Sequence, residues 1–265
     1  MKPDIFASAL RDLGAGLRQY RVWTALAAED IGDQHKRTTL GPLWLLINYL
    51  AFAATFIFIF QRSGSNGGGY AVYVATGLLV WFYIMEVVTS SVTLFAREES
   101  FIKGTTLPLS VYVMRAALQA AIRAGYALIG CVGILAVSGT WPTPLWLWSL
   151  VGLALILLIT PAAIIACAFL GVFFPDSQYI VSNLMRVGMF VTPVFWTQEP
   201  GMGGLRGAFY AYNPFTWFLD IVRMPIVAGR VPWSELLACI GIGAGLWLLS
   251  LVLLGAFRRQ VALVL

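Results

Sequence analysis

Charged residues are scarce in this chain: 17 Lys and Arg and 12 Asp and Glu make up 11% of its 265 residues, far below the quarter usual for soluble domains. Histidine is almost absent, His35 standing alone, and neither His-Glu-x-x-His nor Gly-x-Ser-x-Gly occurs. The acids within apolar sequence are isolated, so no carboxylate pair is available for acid/base work, and a glycan-processing enzyme in the membrane is disfavoured. The three cysteines, Cys131, Cys167 and Cys239, each lie in an apolar run; that spacing fits neither a disulfide framework nor a zinc site, and they read as small core residues. No metal site is expected. The first 20 residues carry Asp4, Arg11, Asp12 and Arg18 and lack a signal-peptide core, so the N-terminus is expected to stay in the cytoplasm. Gly67-Gly-Gly69 resembles a phosphate loop only superficially, because Tyr70-Ala-Val72 follows where a Lys-Ser/Thr pair is needed. No nucleotide site, and no cofactor, is expected on the chain.

What is abundant is hydrophobic sequence, 60% of residues with a mean hydropathy of +0.83. The expectation is an all-α integral membrane protein: one domain, residues 1–265, with six transmembrane helices and no appended soluble domain. The spans are placed over Leu43–Phe60, Ala71–Phe95, Leu109–Val137, Leu145–Phe174, Gln178–Trp196 and Trp233–Phe257. Residues 1–37 form an arm in which Phe6, Leu10, Leu13, Leu17 and Tyr20 recur at helical spacing opposite Arg11, Arg18 and Arg21. This predicts an amphipathic helix in the headgroup layer, or one packed on a soluble partner. Gly41-Pro42 then starts the first span.

Residues 197–232 are too interrupted to span and too apolar for a free loop, which predicts a re-entrant segment. Within it Asn213-Pro214 reads as an N-cap with Pro at the first helical position, Phe215, Phe218, Leu219 and Val222 share a face, and Pro225 should stop the helix. Gly241 and Gly245 match Gly-x-x-x-Gly, a close-packing face for another helix of this chain or a partner.

Ten Lys and Arg (Lys2, Arg11, Arg18, Arg21, Lys36, Arg37, Arg97, Lys103, Arg258, Arg259) fall on one side of this layout and four (Arg62, Arg206, Arg223, Arg230) on the other. Both termini are therefore expected in the cytoplasm, and the net charge of +5 needs no nucleic acid to explain it. Glu86, Arg115, Arg123 and Arg186 lie inside spans, where exposure to lipid is costly, so they should face a polar conduit or pair internally; Arg115 could also snorkel. Trp81, Phe82, Tyr83, Phe195 and Trp196 are interfacial belt residues or, facing inward, surfaces on which sugar rings can stack.

These features occur with a set of motifs: Thr39-Leu-Gly-Pro-Leu-Trp44, Phe101-Ile-Lys103, Leu107-Pro-Leu-Ser-Val-Tyr-Val-Met-Arg115, Phe173-Phe-Pro-Asp176, Val191-Thr-Pro-Val-Phe-Trp196 and Tyr212-Asn-Pro-Phe215. In order and spacing they resemble the permease subunits of ABC-2-type polysaccharide exporters, closest to the O-antigen branch. The resemblance implies a bacterial inner-membrane homodimer that works with two ATPase subunits, which bind the ATP and Mg. Its substrate would be an undecaprenyl-diphosphate-linked polysaccharide. It further implies an ATPase-coupling loop at 97–108 (Arg97, Glu98, Glu99, Phe101, Ile102, Lys103), a substrate entrance at Lys36, Arg37 and Arg115, and a translocation pathway along Trp81, Tyr83, Glu86, Arg123, Arg186, Phe195 and Trp196. The outer gate would be formed by Asn213, Pro214, Phe215 and Phe218. The rival readings are an ABC-2 permease for a small lipid or drug, and an ATP-independent channel or secondary transporter, which often shows an inverted repeat.

Overall fold

The computed structural model describes residues 5–36, 38–60, 67–197 and 204–264, and among them every regular element is an α-helix. The arm is two helices, α1 (Ile5–Arg18) and α2 (Tyr20–His35), broken at Gln19. The long helices are α3 (Leu43–Phe60), α4 (Gly67–Val92), α7 (Leu109–Val137), α8 (Trp146–Phe173) and α12 (Trp233–Val264). Short helices complete the chain: α5 (Leu94–Arg97) and α6 (Glu99–Gly104) after α4, then α9 (Ser177–Val191), α10 (Gly204–Tyr212) and α11 (Pro214–Val227) between α8 and α12.

Five helices (α3, α4, α7, α8 and α12) are long and apolar enough to cross a bilayer. The sequence placed a further full span over Gln178–Trp196, but α9 has only 15 residues and the chain leaves the helix at Thr192-Pro193. At 1.5 Å per residue, α9 extends about 22 Å, short of a hydrocarbon core of about 30 Å. Other boundaries also moved. Gly67–Gly69 belong to the first turn of α4 rather than to a loop, α4 stops at Val92 instead of Phe95, and α12 runs on past Phe257 through the basic pair. Pro225 lies inside α11, and the helix ends instead at the Ala228 C-cap before Gly229, whose φ of +61° suits glycine.

α4 is the axis of the fold. Its most apolar window is 72% buried, against 11% for α3, so α4 sits amid α7, α8, α9 and α11 while α3 presents most of its surface outward. Close helix approach depends on particular glycines: a Cβ on Gly171 of α8 would come 1.7 Å from the Val92 carbonyl oxygen of α4. Gly243 of α12 meets Ile159 in the same way, with 2.7 Å available, whereas a Cβ on Gly241 or Gly245 would meet nothing within 4 Å, so within the chain the packing glycine of this stretch is Gly243. Pro161 lies within α8, and beside it Trp247 and Ser250 of α12 donate to the carbonyls of Leu158 and Ala162 (3.1 and 2.7 Å), which ties the two helices together.

The arm packs differently from its amphipathic pattern. Ala9, Leu13 and Gly16 face the bundle, and Gly16 is required where α1 crosses Ser110, since a Cβ there would lie 2.2 Å from its Oγ. Phe6, Leu10, Leu17 and Tyr20 point outward, each about half exposed. A stripe of this kind at the end of a membrane bundle fits the headgroup boundary.

Candidate functional site

Three of the four span charges converge. A groove of about 550 Å³ opens between α3, α4, α7 and α9, with Glu86, Arg123 and Arg186 on its walls and Tyr49, Phe52, Phe82 and Phe190 among its aromatic lining. Arg123 donates through Nη1 to Glu86 Oε1 and through Nη2 to Gln34 Oε1 of α2 (3.3 Å), so the arm reaches the groove. Arg186, exposed on α9, makes no ion pair or hydrogen bond within the described residues and is the wall's free cation. Phe82 and Glu86 share a face of α4 at a spacing of four, and Phe52 meets Phe82 edge-on at 5.4 Å. The sequence reading grouped Trp81 and Tyr83 with Glu86, Arg123 and Arg186. They are on other faces of α4: Trp81 is fully buried against Phe215 of α11, and the Tyr83 hydroxyl shares a 2.7 Å hydrogen bond with Thr160 of α8. Phe82, between them, takes the wall position, and its spacing from Glu86 was the available signal.

Phe195 and Trp196 do not line the groove; they lie in the turn that ends α9, where Phe195 meets the lining residue Phe190 edge-on at 5.6 Å. Phe195 stacks on Phe56 and Phe60 of α3 at 4.9 and 5.1 Å, while Trp196 donates to the Phe190 carbonyl at 3.1 Å. The turn is gripped from α4 by Tyr70, donating to the Phe195 carbonyl (2.7 Å), and by Tyr73, within 3.1 Å of the Pro193 carbonyl. The grip is completed by Arg223 of α11, which the sequence count treated as an outer-side charge. Arg223 is completely buried, lies 3.8 Å over the Tyr73 ring, and donates to the Pro193 and Val194 carbonyls (2.9 and 3.4 Å) with Asp220 3.8 Å away. Gly77 of α4 makes room for it, because a Cβ there would be 2.1 Å from Nη2.

Of the gate residues, Asn213 caps α11 by accepting the Phe215 N–H (3.0 Å) and donates to Thr192 Oγ1 (2.8 Å), with Pro214 at the first helical position. Phe218 is buried, and Phe215 is partly buried against Trp81. α11 is therefore fixed to the end of α9 at both its cap and its third turn. Gln198 to Gly203 of this segment lie outside the described residues.

At the opposite end, Arg115 is held by Asp30 of α2 through Nε and Nη2 (2.5 and 2.7 Å) and by Glu98 through Nη1 (2.9 Å), and Gln119 also donates to Asp30. With both carboxylates engaged, Arg115 is no free anion receptor. It is a tie between α2, the α5–α6 junction and α7. Glu98, 7% exposed, is consequently turned away from the surface that the coupling reading gave it. The remaining residues of that loop divide: Phe101 projects, Lys103 pairs with Glu99 at 2.6 Å, Arg97 stays near Glu98 at 3.6 Å, and Ile102 packs partly on the core. Lys36 is exposed and ion-paired with Asp33, whose hydrogen bond and charge raise its pKa, so it remains cationic. Arg37 lies outside the described residues. Among the described residues no cluster of His, Cys, Asp or Glu is arranged to hold a metal ion.

Comparison with known proteins identifies the family. Residues 21–227 match the family described as ABC-2 type transporter. Two O-antigen export system permease proteins, RfbA, from Klebsiella pneumoniae are 25% and 27% identical over 210 residues, covering 78% of this chain and 76% of each relative. An RfbA from Myxococcus xanthus is 23% identical over 226 residues, 83% of this chain and 85% of the relative.

Proposed function

Because the chain belongs to the ABC-2 type transporter family, a multi-pass membrane family of transport subunits, we propose that it is the membrane half of an O-antigen exporter. It moves an undecaprenyl-diphosphate-linked polysaccharide from cytoplasm to periplasm across the bacterial inner membrane. The observation that carries this reading is the groove: a long, aromatic wall with one free arginine, left open on the side of α3 and α9. Rings along such a wall stack on successive sugars without demanding one sequence of sugars. Two copies of the chain, apposed through the exposed faces of α3 and α9, close two such walls into a conduit. α9 crosses as a broken helix completed by the gripped Thr192–Trp196 turn, which keeps both termini cytoplasmic, and α10–α11 form its outer gate. ATP and Mg reside on two partner ATPase subunits.

The lipid-linked head enters beside Lys36 and Arg37 and follows Gln34 and Arg123 into the groove. The exposed Phe101 at the tip of α6, with Ile102 behind it, seats in the ATPase. Replacing Phe101 and Ile102 by Asp is expected to leave the partner's basal hydrolysis intact while abolishing polymer transport; vesicles that still export normally would remove α6 from coupling. Replacing Lys36 and Arg37 by Ala should weaken substrate-stimulated hydrolysis more than basal hydrolysis, and an equal effect on both would reduce the pair to a topological anchor.

A further inference from the structure

A second polar cavity, of about 400 Å³, lies at the α6 end of the bundle, where α1, the Thr105–Pro108 link and the last turns of α12 meet. Arg11 and Arg258 line it together with Asp12, Thr106 and Leu107. Asp12 is 7% exposed and one of its oxygens is already taken by the Ser110 backbone N–H (3.1 Å) at the start of α7. Arg258 stands 3.6 Å from the other oxygen and 3.4 Å from the Ser8 carbonyl. Arg11 spends only its Nε, on the Ala7 carbonyl (3.1 Å), and its two terminal nitrogens have no partner among the described residues. Two arginines against one carboxylate leave the lining at +1, and the positive end of the 29-residue α7 adds to it. The same helix that brings Arg11 and Asp12 to the cavity turns Ile5, Phe6, Leu10 and Leu17 outward, all 44% exposed or more.

A cationic cup joined to an outward apolar stripe matches the two ends of a phospholipid. We propose that this cavity binds the phosphate of a membrane phospholipid headgroup, with the acyl chains lying along the α1 stripe. The bound lipid braces α1 against the α6–α7 link and α12, independently of what the groove transports. Free phosphate offers the same anion without the chains, so the two sources are separable.

The test is native mass spectrometry of the full chain released from micelles doped with phosphatidylglycerol, with diacylglycerol, or with inorganic phosphate. One phosphatidylglycerol per chain should be retained, and R11Q should weaken its retention about fivefold, as expected for one arginine at a charged bilayer surface. R11Q alters an exposed side chain, so folding is preserved; R11Q with R258Q should lose the lipid altogether, whereas R18Q with R21Q, elsewhere on the arm, should not. Diacylglycerol retained as well as phosphatidylglycerol, equal loss in the R18Q/R21Q protein, or inorganic phosphate displacing the lipid would each overturn the proposal.

Discussion

Replacing Arg223 by Gln is expected to lower the thermal midpoint of the purified chain by roughly 10 °C, from about 3–5 kcal/mol for stripping one partner from a buried charged cluster at about 2–4 °C per kcal/mol. The guanidinium is wholly buried and serves four groups at once: the Tyr73 ring, the Pro193 and Val194 carbonyls, and Asp220. Gln cannot span them, so the two carbonyls stay buried without their donor and the Asp220 carboxylate without its counter-charge. Lys keeps the charge but not the planar fork, and R223K should recover no more than about half of the loss. G77A is expected to act on the same point from α4, since its methyl would displace Nη2 or the Val194 carbonyl, 2.8 Å away. Differential scanning fluorimetry in micelles checks all three, and an R223Q midpoint within 2 °C of wild type, well below that estimate of roughly 10 °C, would refute the staple.

Loss of Arg115 should have the next largest effect. R115Q leaves Asp30 of α2 and Glu98 of the α5–α6 junction without their shared cation, and a cost of about 2–4 kcal/mol is expected, since the site is only partly buried. D30N alone should cost less, because Arg115 keeps Glu98. A double-mutant cycle on Asp30 and Arg115 is expected to return a coupling energy of about 1–3 kcal/mol, as for residues sharing one network. Since the tie binds the arm to the helix that carries Phe101, R115Q in a reconstituted transporter should lower transport more than basal ATP hydrolysis. Additive stabilities in the cycle would mean that the two side chains act separately.

Much of this architecture was legible in the sequence because local signals agreed. α3 and α7 begin where expected, directly after Pro42 and Pro108, and both are long runs without a competing breaker. The Asn213 cap was legible for the same reason. α9 was not: its apolar run continues through Val191–Trp196, and composition does not reveal that Pro193 and Val194 give their carbonyls to an arginine 30 residues onward. The arm's inward face was missed because it is made of small residues, Ala9 and Gly16, that carry little hydropathy. Trp81 and Tyr83 were misplaced because on α4, apolar nearly all round, periodicity does not separate groove from core; Glu86 and its spacing from Phe82 did. The ionic partners were invisible for a simpler reason, as Arg115 and Asp30 are 85 positions apart. Asp220 and Arg223, three apart on one amphipathic helix, were the pair that could have been found.

The most direct measurement is translocation itself. Inside-out vesicles holding this chain and its ATPase partner, supplied externally with lipid-linked O-antigen, should accumulate the polymer in the lumen only with ATP, and R186E, which reverses the free charge of the groove, should reduce that uptake at least tenfold. Uptake that proceeds without ATP or partner, or a complex that flips small lipids but excludes the polymer, would contradict polysaccharide export by this chain.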